Sequence, residues 1–363
     1  MKNLYLALLL VFVLAVSGCV SAEKKAAEGT KEVSAPEQNV SPVVEQPAQT
    51  EVPAETAPQE TVQKVPKIID AKSAAQGKNP ALTVYGKKLW ISSERFNGAN
   101  EDLYTKTFDG KDFGSDTLVA GTDYDDIQPT SVSYLGNLYV FFTQTLSRSQ
   151  TATIYYKVYN GNSWGNISAV GDLDYIFYYH NSSAVFFEGN ALLFWTKGKR
   201  TDYGFISSRL LKKDYWFDGI TITAVASVTD DKNPKAAMQG KDLFILYENF
   251  VPNGERNDIY IKRYANGFLG TGVKLTADSK NKFKSSGALA SYKDKLYAIW
   301  VEKGDLYLKS SADGIIWGDV VRLTQTEGLA DEPYLAEFNG DLYIAYAKYQ
   351  GDAPFVYLGK LDV

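Results

Sequence analysis

The sequence predicts an all-β fold, a six-bladed β-propeller with four-stranded antiparallel blades, on three observations. First, one sentence recurs: an inward strand, a tight turn, and a second strand rich in Leu and Tyr. It reads Tyr85-Gly86-Lys87-Lys88-Leu89-Trp90, Leu135-Gly136-Asn137-Leu138-Tyr139-Val140, Glu188-Gly189-Asn190-Ala191-Leu192-Leu193, Gln239-Gly240-Lys241-Asp242-Leu243-Phe244, Lys293-Asp294-Lys295-Leu296-Tyr297-Ala298 and Asn339-Gly340-Asp341-Leu342-Tyr343-Ile344. Second, aligned on positions 89, 138, 191, 243, 296 and 342, the copies step by 49, 53, 52, 53 and 46 residues. A period near 50 with several short strands per unit marks a propeller. Third, a further strand carries Tyr and then Lys two residues on, as in Tyr104/Lys106, Tyr155/Lys157, Tyr260/Lys262 and Tyr307/Lys309. Alternation puts that Tyr and Lys on one face and the aliphatic residues on the other.

The N-terminal residues stand apart from these repeats. Lys2 precedes an apolar run from Leu4 to Val16 that is short for a bilayer span, followed by Val16-Ser17-Gly18-Cys19. This segment resembles the lipobox of prokaryotic lipoproteins. The resemblance implies a signal peptide over 1–18, lipid on Cys19, and membrane attachment outside the cytoplasm, at the cell surface or in a periplasm. Were the envelope double-membraned, Val20 after the lipidated residue would favour the outer membrane. Cys19 is the sole cysteine, so no intrachain disulfide forms. Residues 19–65 read as a tether: six of the 12 prolines lie between Pro36 and Pro66, and no aromatic residue occurs between Phe12 and Tyr85. Such a composition does not bury enough apolar surface to offset its ordering entropy. As a coil it would reach on the order of 40 Å.

The propeller then spans 66–363. Blade two illustrates the unit, with strands expected at 129–134, 138–143, 153–159 and 167–170. The sixth copy offers only three strands before the chain stops at Val363, which would leave an edge open. Lys67-Ile68-Ile69-Asp70 resembles the fourth-strand segments Val320-Val321-Arg322-Leu323-Thr324 and Gly272-Val273-Lys274-Leu275-Thr276, so the N-terminal strand is expected to complete the last blade.

Another repeat joins third and fourth strands: Phe108-Asp109-Gly110 through Phe113, Tyr159-Asn160-Gly161 through Trp164, Asn266-Gly267-Phe268, and Ser310-Ser311-Ala312-Asp313-Gly314-Ile315-Ile316-Trp317. Asn-Gly and Asp-Gly supply the positive φ a tight turn needs. The last copy resembles the Asp-box of sialidase-like propellers, Ser-x-Asp-x-Gly-x-x-Trp, with one residue fewer between Asp313 and Gly314. In that family the motif is structural and lies away from the catalytic face.

Meander topology places the tight turns at one end and the longer connections at the other, where binding residues are expected. That mouth is predicted to carry Arg95, Arg148, Arg200 and Arg256 from second-to-third loops. Blade-to-blade connections add Asp125, Asp126, Tyr179, His180, Asp231, Asp331 and Glu332. Arg forks grip oxyanions and Tyr rings stack on sugar faces, so the set suits an oxygen-rich ligand, a glycan or an envelope protein. The same residues also suit ion pairs among solvated loops, and His180, following aromatics, suits a packed position. No metal or other cofactor is expected, since no His/Cys cluster or phosphate loop occurs. A net charge of -5 gives no reason to expect a nucleic-acid partner.

The sialidase resemblance implies a glycoside hydrolase, with an arginine triad, a Tyr nucleophile assisted by Glu, and an Asp acid/base. No Arg-Ile-Pro occurs here, although that family carries one near the domain start, so no catalytic residue transfers. Three readings follow: a surface lipoprotein binding through the propeller mouth, a sialidase-like hydrolase of extracellular carbohydrate, and an assembly factor docking through the blade sides.

Overall fold

The computed structural model describes residues 65–145, 152–171, 178–198, 204–223, 229–251, 256–276, 284–325 and 329–363, without the side chains of Arg256 and Ser286. Described strands form six antiparallel sheets. After β1 (Lys67–Gln76), blade one comprises β2 (Lys78–Tyr85), β3 (Lys88–Phe96), β4 (Glu101–Phe108) and β5 (Thr117–Ala120). Blade two comprises β6 (Asp125–Tyr134), β7 (Asn137–Thr145), β8 (Ala152–Tyr159) and β9 (Ser168–Ala169). Blade three has β10 (Tyr178–Phe187), β11 (Asn190–Gly198), β12 (Phe205–Lys212) and β13 (Tyr215–Asp218). Blade four has β14 (Asp230–Gln239), β15 (Asp242–Val251) and β16 (Arg256–Ala265), whose outer edge is shared by β17 (Phe268–Leu269) and β18 (Val273–Lys274). Blade five is β19 (Ser285–Tyr292), β20 (Lys295–Glu302), β21 (Asp305–Ser311) and β22 (Val321–Arg322). Blade six is β23 (Ala330–Phe338), β24 (Asp341–Gln350), β25 (Ala353–Asp362) and, at its edge, β1.

Closure follows the expected pairing: Lys67, Ile68 and Ile69 lie opposite Asp362, Leu361 and Lys360. The strand runs farther than Asp70, continuing through two register breaks to Gln76 opposite Phe355. Inner strands also begin earlier than expected, because pairing resumes on the mouth side of a bulge in each.

The hydrophobic core is divided into six wedges, one at each blade interface. The second strands explain this division. Leu138, Val140 and Phe142 of β7 pack towards blade one, while Tyr139 and Phe141 pack towards blade three. A strand buried on both faces reads as an unbroken apolar run, and its pleat deals alternate residues to two different wedges. Side chains on the inner strands stitch neighbours together: the Ala184 and Ala236 amides donate to Thr130 Oγ1 (3.1 Å) and Ser183 Oγ (3.0 Å).

The third-strand lysines have a comparable task. Lys106 Nζ donates to Ala74 O (2.9 Å), Lys157 Nζ to Val119 O (2.8 Å) and Lys262 Nζ to Ile222 O (2.8 Å). Each reaches from one blade to a carbonyl at the outer edge of the blade before it. In blade three Arg209 takes the position, with Nη1 3.4 Å from Val170 O.

At the turn end, Asp313 Oδ1 accepts the amides of Ile315 and Ile316 (both 2.8 Å), and Ser311 Oγ accepts that of Gly314 (2.8 Å). The Trp317 ring packs into the wedge between blades four and five. Asp109 and Asn160 close their turns in the same way. Gly314 has φ +71°, and a Cβ there would lie 2.1 Å from the Phe244 ring of blade four.

Two outcomes are expected. Deleting residues 66–72 should unfold or oligomerise the protein, whereas deleting 22–60 should leave its melting curve unchanged, as read by thermal denaturation and gel filtration. Gly314→Ala should lower stability in chemical denaturation by roughly 1–3 kcal/mol, from left-handed strain and overpacking together.

Candidate functional site at the propeller mouth

Six bulges at the mouth end of the inner strands build the centre of the site. Each inner strand breaks register once: between Lys78 and Ala81, Ile127 and Thr130, His180 and Ser183, Lys232 and Lys235, Ser285 and Ala288, and Asp331 and Tyr334. In five of them a polar residue takes a left-handed conformation: Asn79, Gln128, Asn181, Asn233 and Glu332, with φ from 48° to 55°. Proline follows at 80, 129, 234 and 333, a residue tolerated in a strand where the ladder is already interrupted.

These residues bond around the ring. The Asn79 amide N–H donates to Glu332 Oε2, and the Asn181 N–H donates to Gln128 Oε1 at 3.0 Å. The second strands supply the other acceptors: Gln128 N–H donates to Glu94 Oε2 (2.6 Å) and Asn233 N–H to Thr196 Oγ1 (3.0 Å). Asn79 Nδ2 donates to Glu94 Oε1 (2.9 Å) and Asn233 Nδ2 to Glu248 Oε1 (2.5 Å).

Between blades six and one lies a recess of about 440 Å³, lined in part by Lys78, Glu94, Phe96, Glu101, Tyr349 and Asp352. A volume of that size accommodates a small organic ligand. Lys78 Nζ sits 3.0 Å from Glu101 and 3.5 Å from Glu94. Phe96 is 61% exposed, an accessible aromatic face beside these charges. The connection from β1 into blade one passes the recess at Gly77, whose φ of +137° and whose missing Cβ, 2.4 Å from Glu94 O, leave little room for another residue.

Of the residues expected from sequence, Glu332 lies in the ring. Asp331 accepts the Glu332 amide at 2.8 Å. Arg95 borders the recess, but it lies within β3, and its guanidinium is engaged by Asp116 (2.8 Å), by Gln76 O (3.0 Å) and by the Tyr104 ring. Arg256 opens β16; Arg148, Arg200 and Cys19 lie outside the described residues. Asp126 is fully buried, accepting bonds from Thr122 and Gln144, and burial pushes its carboxyl up. Asp231 is likewise buried, bound by Asn249 and pushed up by burial. Asp125 accepts the Glu101 amide at 3.1 Å. Tyr179 packs in the wedge between blades two and three, edge-on to Trp195. His180 Nδ1 contacts Asn181 Nδ2 at 2.8 Å, and burial lowers its basicity. Sequence reasoning passed over Asn79, Gln128, Asn181, Asn233 and Glu94. The ring positions sit ten residues before each aligned Leu position, so reading that column would have found them.

Burial, with Glu94 beside it, pushes the Glu332 carboxyl up from 4.5 to about 8, and burial also raises Glu94. A carboxyl raised in the fold keeps a proton that the unfolded chain releases, so stability falls as pH climbs between those two values and levels off above them. The melting temperature should therefore decline between pH 5 and 8. Glu332→Gln should flatten that decline, matching wild type at pH 5 and exceeding it at pH 8.

Comparison with protein-family models finds no match, and comparison with curated proteins finds none. Solved structures share the fold. Hadza microbial sialidase Hz136 superposes with a TM-score of 0.59 at 10% identity, covering 80% of this chain and 68% of that one. Trypanosoma rangeli sialidase in complex with the inhibitor DANA gives 0.57 at 12% identity over 79% of this chain, which spans only 55% of that enzyme's length. YjhT gives 0.53 at 14% identity, covering 79% of this chain and 95% of the other. At such identities the likeness is one of architecture: a six-bladed propeller of the sialidase type.

Proposed function

We propose that the chain is a lipid-anchored, extracytoplasmic protein whose propeller mouth binds carbohydrate without cleaving it. The observation that carries the binding reading is the recess between blades six and one, where the exposed Phe96 face stands beside the Lys78–Glu101 ion pair and the buried Glu94. A sugar offers the matching chemistry, an apolar ring face and a fringe of hydroxyls. The non-catalytic reading rests on how the carboxylates are used. Both oxygens of Glu94 accept bonds that hold the ring together, and Glu332 receives the Asn79 amide. The four arginines with described side chains are each directed at an aspartate: Arg95 at Asp116, Arg209 at Asp218, Arg263 at Asp242 and Arg322 at Asp305. The anchor rests on the resemblance of residues 16–19 to a lipobox.

One observation favours the alternative, a sialidase-like glycoside hydrolase. Glu332 keeps its proton near neutral pH beside a second carboxyl, as a general acid must. The two readings separate in one experiment, a glycan array run beside a fluorogenic glycoside panel on purified protein. Binding without turnover is expected, weakened about tenfold or more by Phe96→Ala. Turnover abolished by Glu332→Gln would establish the hydrolase instead, and neither binding nor turnover would remove both. The anchor is tested separately: Cys19→Ala should abolish fatty-acid labelling and release the protein from membranes.

A further inference from the structure

On the axis of the ring lies a polar well that the carbohydrate reading does not use. Open to solvent on one side, it offers about 50 Å³ among Asn79, Gln128, Asn181, Asn233, Lys235 and Glu332. That is room for a few water-sized species and too little for a sugar ring to enter. Below it the channel is blocked, since Tyr334 Oη from blade six meets Thr130 Oγ1 from blade two at 3.4 Å.

Lys235 follows the blade-four bulge, is half-buried, and lines both the well and a smaller pocket shared with Ser183, Tyr334 and Leu335. Its amine forms no hydrogen bond or ion pair with any described residue; the nearest defined contact is the Tyr334 ring, 5.7 Å from Nζ. Three ring amides are engaged, Asn79 Nδ2 by Glu94, Asn181 Nδ2 by His180 and Asn233 Nδ2 by Glu248. Gln128 differs. Its Oε1 accepts the Asn181 amide, which leaves Nε2 as a donor without a described partner. Asn233 Oδ1, an unpartnered acceptor in the wall, is sealed from solvent. Two side chains able to donate, Lys235 and Gln128, thus line this small space. Burial lowers the basicity of the Lys235 amine, an effect opposed by Glu248 and Glu332, and an anion in that space would further favour its charged, donating form.

We propose that the well is a binding site for a small monovalent anion, held on the propeller axis by Lys235 Nζ and Gln128 Nε2. The anion is a free halide-sized ion or the carboxylate tip of a larger ligand. Glu332, protonated near neutral pH and bonded to the Asn79 amide, does not repel it. This inference goes beyond carbohydrate binding and stands without it.

Melting of the purified protein at constant ionic strength tests it. Bromide and formate should raise the melting temperature saturably and gluconate, too large for the well, should not; Lys235→Met should abolish the response. Crystals soaked in bromide should show an anomalous peak on the axis within hydrogen-bond distance of Lys235 Nζ, a result that decides the matter even if the variant fails to fold. Water alone on the axis, or an undiminished bromide response in Lys235→Met, would overturn the proposal. Once the peak is seen, a glycan-array ligand that displaces bromide identifies its own carboxylate as the occupant, and one that leaves bromide in place assigns the free ion.

Discussion

A propeller has no central core to fall back on, and everything here depends on the ring being shut. Each wedge draws side chains from two neighbouring sheets, so a blade that loses a neighbour exposes half of its buried surface to water. The pairing of β1 with β25 supplies the last contact, joining residues nearly three hundred positions apart. The seam is also where the recess lies. Gln76 and Gly77, leaving β1, form one wall; Ala353 and Pro354, entering β25, form another; and the Gly77 amide donates to Pro354 O at 3.0 Å. Closing the fold and shaping the recess are therefore one event.

The bulges convert that closed ring into a polar centre. A regular strand would point alternate side chains into the neighbouring wedges, where an amide or carboxylate would lack partners. One extra residue per strand turns Asn79, Gln128, Asn181, Asn233 and Glu332 aside, and in the first four it frees the backbone amide for an acceptor on another strand. Buried polar groups are tolerated when so paired, and the network spans several blades, which makes it a determinant of how the blades are spaced as well as of what the mouth presents.

Much of this was legible in the sequence, and the limits have physical causes. Periodicity revealed the blades because every second strand must feed two wedges, and Ile68 and Ile69 revealed the closing strand because a fourth-strand pattern stood without a blade of its own. Ring amides escaped notice because the search favoured charged residues in connections, whereas Asn79 and its counterparts are neutral, lie inside strands, and depend on bulges that interrupt the alternation being read. Arg95 illustrates the opposite error. Its spacing suggested a mouth residue, but its partner Asp116 lies 21 positions on, across β4, and nothing in the local sequence announces that pairing. The lysine of the third-strand fingerprint was visible as a repeat, while its purpose, a carbonyl on the preceding blade, required the sheets to be assembled first.

The direction of the closing strand has a further consequence. Lys67 pairs with Asp362 and Gln76 with Phe355, so β1 runs from the pole that carries the Asp-box turn towards the pole that carries the recess. The first paired residue of the closing strand and the recess therefore occupy opposite hemispheres of the head.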